Sequence, residues 1–152
     1  MTYKLCTLVF LLEGDNILPA MKKRGFGAGK WNGVGGKVEM GETLEGALVR
    51  ESEEEIGVTP LEYTFVGYHE FRFPDGTPDM RVHVYLCTAW DGEPFESEEM
   101  APHWFKTSEI PYDEMWQDDR YWLPQVLEGK SVQGIFTFDD KDNMLSHEVR
   151  ES

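Results

Sequence analysis

The chain has 152 residues, of which 40% are hydrophobic and 13% aromatic, and its formal net charge is −15. This composition suits one domain over residues 1–152 with a single core, and it excludes a disordered chain. The 29 acidic residues outnumber the 14 Lys and Arg residues, so a nucleic-acid polymer is excluded as the expected partner.

No apolar run reaches the roughly 18 residues that a membrane span requires. The run at residues 8–12 is too short for the core of a signal peptide and lacks a cleavage site. We therefore expect a cytoplasmic monomer with no membrane partner. Cys6 and Cys87 lie in apolar, strand-like stretches, which predicts buried free thiols rather than a disulfide or a Cys-based metal site.

The first third of the chain predicts two strands followed by a glycine-rich loop. Residues 7–12 and 17–22 have strand-like patterns and are separated by turn residues at 13–16. Residues 24–37 contain six glycines among fourteen residues. Glycine at this density allows the backbone to approach a ligand closely and to adopt positive φ.

Two segments predict helices. The first covers residues 43–56, with Thr43 as its N-cap and Gly57 as its stop. The second covers residues 118–128, begins with Asp118 as the cap and contains Pro124, which should bend it. Further strands are predicted at residues 63–73, 81–90 and 103–105, with a terminal hairpin formed by 132–138 and 144–149. Strands and few helices without regular alternation predict a mixed α+β sandwich.

The first predicted helix carries acidic residues on its apolar face. An advance of about 100° per residue groups three apolar residues, Leu44, Ala47 and Leu48. Three carboxylates continue the same face: Glu51, Glu54 and Glu55. Clustered carboxylates destabilise a partly buried face unless a cation neutralises them, and an all-oxygen ligand set favours Mg²⁺ or Mn²⁺. A metal site is therefore the leading hypothesis, and a solvated acidic surface is the alternative.

Arg50 precedes the first of these carboxylates and has two interpretations. It is either an exposed helix cation or a guanidinium that hydrogen-bonds a carboxylate and holds it in position.

The same segment resembles the signature of the Nudix hydrolases. Eight residues match that signature at the required spacing: Gly36, Glu42, Arg50, Glu51, Glu54, Glu55, Gly57 and Val58. Ser52 stands where the family usually has an aliphatic residue, which puts local packing in question. Other segments, at residues 21–33, 82–84 and 115–122, resemble the family members that hydrolyse oxidised purine nucleoside triphosphates.

The resemblance implies a Nudix α/β/α sandwich with a central mixed β-sheet. It implies cleavage of 8-oxo-dGTP or 2-oxo-dATP to a monophosphate and pyrophosphate, which cleans the nucleotide pool. Mg²⁺, with Mn²⁺ as a substitute, would be held by the Gly36 carbonyl, Glu51, Glu54, Glu55 and Glu99. These carboxylates and Arg50 would form the catalytic set, with either a helix glutamate or Glu99 as general base.

The resemblance also implies a substrate site. Residues beside the phosphates would be Gly35, Gly36 and Lys37. The base pocket would contain Thr7, Lys22, Asn32, Phe71, Trp116, Asp118 and Asp119. Two adjacent carboxyls in a dry pocket should not both ionise, so one would donate a hydrogen bond to the base. Taken without the resemblance, Trp116, Asp118 and Asp119 favour a core aromatic residue followed by an acidic helix cap and a first-turn aspartate, and the resemblance favours the base pocket instead.

Other functions remain open at this point. A Nudix enzyme with another substrate, such as ADP-ribose or a dinucleoside polyphosphate, is one alternative. A non-enzymatic nucleotide-binding Nudix domain is another, although every carboxylate of the signature is present. A purely structural module would leave the inward-facing glutamates unexplained.

Overall fold

An eight-stranded mixed β-sheet forms the centre of the protein, with helices on both sides. The computed structural model describes residues 3–152. The strands are β1 Tyr3–Glu13, β2 Asn16–Leu18, β3 Ala20–Lys22, β4 Trp31–Asn32, β5 Val34–Lys37, β6 Thr59–Arg72, β7 Asp79–Asp91, β8 Met100–Pro102, β9 Phe105–Lys106, β10 Val132–Phe138 and β11 Met144–Glu151. The helices are α1 Leu44–Ile56 and α2 Asp119–Leu127, and two short 3-10 helices lie at Thr107–Glu109 and Tyr112–Glu114.

The main sheet has the strand order β11-β10-β6-β7-β1-β2-β9, and β5 also pairs with β1. Strand β1 is parallel to β7 and β10 is parallel to β6, whereas the other neighbours are antiparallel. A second sheet has the order β4-β3-β8. This mixture of parallel and antiparallel pairs confirms the expected α+β class.

Strand β1 shows how the sheet separates two layers. Successive side chains of a strand point to opposite faces. Phe10 packs in one core with Trp122 of α2, whereas Val9 and Leu11 pack in another with Leu48 of α1. The two helices therefore cover opposite faces of the sheet, which confirms the predicted α/β/α arrangement.

The long periodic segments were predicted correctly. Helix α1 follows Thr43 and ends before Gly57, whose φ of 73° is left-handed. Strands β6 and β7 pair as expected, and β10 and β11 form the predicted hairpin. Cys6 and Cys87 are buried and free, as expected. Among residues 3–152, no helix has the length and apolarity needed to cross a membrane.

Three short segments differ from the prediction. The expected strand at 17–22 is split by Pro19 into β2 and β3, which belong to different sheets. The expected loop at 24–37 contains β4 and β5, because Gly35 allows β5 to approach β1. A Cβ at Gly35 would lie 1.8 Å from the Thr7 carbonyl oxygen. The expected strand at 103–105 lies mostly between β8 and β9.

Candidate active site

Helix α1 is held at both ends by local hydrogen bonds. The Gly46 N–H donates to Thr43 Oγ1 at 3.0 Å, which caps the first turn. The Gly57 N–H donates to the Glu53 carbonyl at the other end. The inner face of the helix buries the side chains of Ala47, Leu48 and Ile56. These anchors fix which of the acidic side chains face the interior.

The three glutamates of the inner face differ in exposure. Glu55 is 6% exposed, and its Oε2 atom has no hydrogen-bond partner. The side chain of Glu51 is 15% exposed, whereas that of Glu54 is 60% exposed. The prediction that all three share the inner face is therefore wrong for Glu54, which lies at the edge where the helix meets solvent.

Arg50 connects the acidic residues in and before α1. Its Nε and Nη2 donate to the two carboxylate oxygens of Glu42 at 2.7 and 3.0 Å. Its Nη1 donates to Glu51 at 2.9 Å and to Glu54 at 3.3 Å, and Nη2 also reaches the Lys37 carbonyl at 3.1 Å. Hydrogen bonds from Arg50 lower the pKa of Glu42 to about 2. Of its two interpretations, the one in which Arg50 positions carboxylates is confirmed.

Burial changes the protonation of Glu55. Desolvation, followed by the negative charge of Glu51, raises the pKa of Glu55 to about 8. Gly36 of β5 lies against the Glu51 carboxylate, and a Cβ at Gly36 would be 2.7 Å from it. Two carboxylates and a strand backbone therefore meet at a point where a hard cation would relieve charge repulsion.

A cavity of about 250 Å³ opens beside this point. Nine of the ten expected substrate residues line it: Thr7, Lys22, Asn32, Gly35, Gly36, Phe71, Trp116, Asp118 and Asp119. Glu55 lines it too. One continuous space therefore joins the buried glutamate to the expected base pocket.

Aromatic rings form the walls of the cavity. Trp116 stacks on Phe26 with ring centroids 5.0 Å apart, and the Lys30 ammonium lies 5.1 Å from the Trp116 ring. Phe71 stacks on Phe136 at 5.5 Å. Phe26 is 61% exposed, so it stands at the entrance. Flat apolar surfaces of this kind suit a planar heterocycle.

Two adjacent carboxyl groups lie in the same cavity. Asp118 and Asp119 are 1% and 2% exposed. The Trp122 indole N–H donates to Asp118 Oδ2 at 2.8 Å, whereas Asp118 Oδ1 and Asp119 Oδ2 have no partner. Asp118 occupies the N-cap position of α2, but its side chain makes no capping bond. The predicted N-cap position is therefore confirmed, but the carboxylate accepts from Trp122 instead of from the first turn of α2.

The two carboxyls titrate differently. Burial raises the pKa of Asp118 to about 6. Burial and the negative charge of Asp118 raise the pKa of Asp119 well above its ordinary value. Burial and mutual repulsion thus favour protonation of one member of the pair, and the upward shift is the stronger at Asp119.

Comparison with known proteins agrees with this geometry. Residues 2–126 match the model of the NUDIX domain. The chain belongs to the Nudix hydrolase family. It is 45% identical over 150 residues to the oxidized purine nucleoside triphosphate hydrolases of Mus musculus and Danio rerio, covering 99% of this chain and 96% of each relative. The solved structure of a MutT protein from Bacillus halodurans superposes with a TM-score of 0.85 at 25% identity, covering 96% and 97% of the two chains.

Nudix hydrolases generally use a divalent metal ion, and the residues at α1 fit one. Mg²⁺ and Mn²⁺ prefer oxygen ligands. Such oxygens are present in the unpartnered Glu55 carboxyl, in the adjacent Glu51 carboxylate and in the backbone of Gly36, which lies against Glu51. Among residues 3–152, however, no three His, Cys, Asp or Glu side chains are already gathered as a ligand set. A bound ion would therefore draw the carboxylates together.

Some expected site residues do not line the cavity: Arg50, Glu51 and Glu54 form the network of α1 beside it, and Lys37 and Glu99 lie farther apart. Glu99 contacts Lys22 at 3.7 Å and Arg24 at 3.4 Å, rather than the helix glutamates. Lys37 is exposed beside the Arg50 network and does not line the cavity. The structure thus leaves both at the margin of the site.

Ser52, the departure from the Nudix signature, is accommodated without a packing fault. Its side chain is fully buried, and its hydroxyl donates to the Leu48 carbonyl one turn earlier at 2.8 Å. A buried hydroxyl that is hydrogen-bonded in this way carries little cost.

Phe26 and His69 are among the cavity residues that the sequence interpretation did not assign to the pocket. A phenylalanine between glycines in a loop was an available signal, because binding residues are disproportionately found on loops. For His69 no signal was available, since the alternation of β6 does not reveal which cavity an inward side chain meets.

Proposed function

We propose that the protein hydrolyses oxidised purine nucleoside triphosphates, with Mg²⁺ as the cofactor, to a nucleoside monophosphate and pyrophosphate. The observation that carries the proposal is the buried Asp118–Asp119 pair, whose unpartnered oxygens lie in an aromatic-walled cavity that also contains Glu55. Relatives named as oxidized purine nucleoside triphosphate hydrolases, at 45% identity over nearly the full chain, support the same substrate class.

The base pocket follows from the chemistry of its lining. Trp116 and Phe71 supply flat surfaces for the purine rings. A neutral Asp119 donates a hydrogen bond and an ionised Asp118 accepts one. The pair therefore complements a base whose edge carries an acceptor next to an N–H donor. Asn32 adds an amide with both capacities, while its Oδ1 accepts from the Gly33 N–H at 2.8 Å. Buried hydrogen bonds of this kind discriminate between bases far better than shape does.

The triphosphate binds in the part of the cavity that lies beside β5 and α1. Gly35 and Gly36 bring the backbone of β5 close to the triphosphate, and Lys22 provides a positive charge at the lining. The proposed metal ligands are the Gly36 carbonyl, Glu51, Glu54, Glu55 and Glu99. These groups would hold a Mg²⁺ ion, or Mn²⁺ in its place, which would supply neutralisation of phosphate charge and alignment of the substrate.

Proton transfer from the attacking water requires a nearby carboxylate. A glutamate of α1 or Glu99 accepts that proton. Arg50 holds Glu51 by its 2.9 Å hydrogen bond and so keeps the carboxylate oriented. The proposed attack is on the β-phosphorus, which releases the monophosphate with its base and leaves pyrophosphate.

We also propose that the protein is a cytoplasmic monomer. Two buried free cysteines suit a reducing compartment, and a net charge of −15 opposes self-association at low salt. Sedimentation at micromolar concentrations tests the monomer, and a concentration-dependent dimer would contradict it.

The experiment for the substrate class is a turnover panel with Mg²⁺. Values of kcat/KM are measured separately for 8-oxo-dGTP, 2-oxo-dATP, dGTP and ADP-ribose, and the products are identified by chromatography. We expect the oxidised triphosphates to exceed dGTP by roughly 10-fold or more, which is the discrimination that one buried hydrogen bond supplies. Preference for ADP-ribose, or no turnover of any nucleotide, would refute the proposal.

A further inference from the structure

His69 is a buried imidazole in the wall of the cavity. It lies in β6, is 1% exposed and contributes to the cavity lining. Its ring packs against Trp122 at 4.5 Å and Phe136 at 5.4 Å between centroids. Trp122 in turn donates its N–H to Asp118. His69 is therefore part of the same cluster as the acidic pair of the base pocket.

Neither ring nitrogen of His69 has a hydrogen-bond partner of acceptable geometry. Buried polar groups in proteins are almost always paired, and an unpaired one destabilises the fold. Burial lowers the pKa of His69 to about 3, so the ring is neutral and offers one donor and one acceptor. Packing among aromatic rings therefore does not account for the two polar nitrogens of this side chain.

The neighbouring strand determines which nitrogen is available. Gly134 of β10 pairs with His69 of β6, and a Cβ at Gly134 would lie 2.8 Å from Nδ1. The ring occupies space that only glycine leaves open, and Nδ1 faces β10. Nε2, which is itself buried and unpartnered, is then the nitrogen left for a contact with a ligand.

Other unpartnered polar atoms share the cavity with His69. They are Thr7 Oγ1, Glu55 Oε2, Asp118 Oδ1 and Asp119 Oδ2. Several orphaned donors and acceptors around one space indicate a ligand that satisfies them together, as a substituted purine does.

We propose that His69 is a base-recognition residue, whose Nε2 hydrogen-bonds an oxo or amino substituent of the purine and strengthens selection for oxidised bases. The inference rests on the proposed function and extends it, because His69 lies outside the Nudix signature and outside the expected pocket. Oxidation adds an oxygen and changes a ring nitrogen from acceptor to donor. An additional polar group in the wall therefore has more to recognise in an oxidised base than in an ordinary one.

Three substitutions at one position test the contact. His69→Leu removes both nitrogens, His69→Gln places an amide near Nε2, and His69→Asn places one near Nδ1. Val66→Ala is the matched control, because Val66 is buried in the same strand but does not line the cavity. All four variants are compared with wild type for kcat and KM on 8-oxo-dGTP and dGTP.

We expect His69→Leu to raise KM for 8-oxo-dGTP and to reduce its selectivity over dGTP by about 10-fold, with kcat retained. His69→Gln should restore much of this selectivity and His69→Asn should not. Val66→Ala should leave the ratio unchanged. Equal loss on both substrates, or an unchanged ratio in His69→Leu, would show that the imidazole only packs.

A binding measurement separates this inference from the proposed function. The ¹⁵N NMR signals of the His69 ring are followed as 8-oxo-dGMP is added without metal. A shift of the Nε2 signal upon binding supports the contact even if wild type hydrolyses no nucleotide, in which case only the proposed activity fails. Saturable binding without a shift, or no binding of 8-oxo-dGMP, would overturn the role of His69.

Discussion

Buried carboxyl groups at the two ends of the cavity have raised pKa values. At Glu55 the causes are burial and the charge of Glu51, and at Asp119 they are burial and the charge of Asp118. A bound cation would lower the raised pKa of Glu55. A bound base would accept a hydrogen bond from the proton that the raised pKa of Asp119 retains. In the proposed function, the same physical effect serves metal binding at one end and base recognition at the other.

Glu55→Gln tests the metal end. Because the pKa of Glu55 is higher in the folded state than the ordinary 4.5, its contribution to metal-free stability is greatest in acid and is lost as pH rises from about 4.5 to about 8. Glutamine avoids this loss. In EDTA, the Tm of Glu55→Gln minus that of wild type should therefore increase between about pH 5 and about pH 8.

The same substitution should reduce kcat with Mg²⁺ by roughly 100-fold or more, since a ligand charge is removed. Glu45→Gln is the control, because Glu45 is exposed in the first turn of the same helix. Turnover of Glu55→Gln at the wild-type rate would exclude Glu55 as a ligand.

The aspartate pair predicts a pH-dependent affinity. Calorimetric titration with the monophosphate product, without metal, should show binding that weakens as pH rises above neutrality and Asp119 loses its proton. Asp119→Asn keeps a neutral donor and should lose this alkaline decline. Asp118→Asn removes the acceptor charge and should bind weakly at every pH. A flat wild-type profile would mean that both carboxyls are solvated.

At the scale of elements, sequence periodicity predicted the long segments and failed at the short ones. Helix α1 and strand β7 contain enough repeats to define a face. Strands β3, β4 and β8 are two or three residues long, and they form only because distant segments pair with them. The signature residues were therefore identified from spacing, whereas the position of Glu99 and the contribution of His69 depend on tertiary packing.

One such packing constraint lies at a bulge in β6. Gly67 has a φ of 127°, and a Cβ there would lie 1.7 Å from the Val132 carbonyl oxygen of β10. This close approach brings β6 and β10, and with them His69 and Gly134, into register.

Gly67→Ala should destabilise the protein by about 2 kcal/mol or more, through both backbone strain and the clash. Gly76→Ala is the control, because Gly76 also has a positive φ of 96° but has open space around it. Thermal unfolding of both variants should show a much larger loss of Tm for Gly67→Ala. Equal losses of Tm would mean that β6 and β10 move apart to relieve the clash without reducing stability.

At the scale of the whole molecule, the net charge of −15 poses a problem for binding a triphosphate. The groups that can offset this repulsion lie together in one cavity. They are the backbone glycines, Lys22 and a carboxylate site suited to a divalent cation. In the proposed function, substrate selection depends on the other part of the cavity, where Trp116 and the aspartates lie.

The most direct test of this account is a competition between 8-oxo-dGTP and dGTP at equal concentration in one reaction with Mg²⁺. The ratio of their initial rates of loss gives the ratio of their kcat/KM values. We predict that 8-oxo-dGTP is consumed first, by roughly 10-fold or more, and that its monophosphate and pyrophosphate appear in equal amounts. Equal consumption of the two nucleotides, or release of orthophosphate in place of pyrophosphate, would contradict the account.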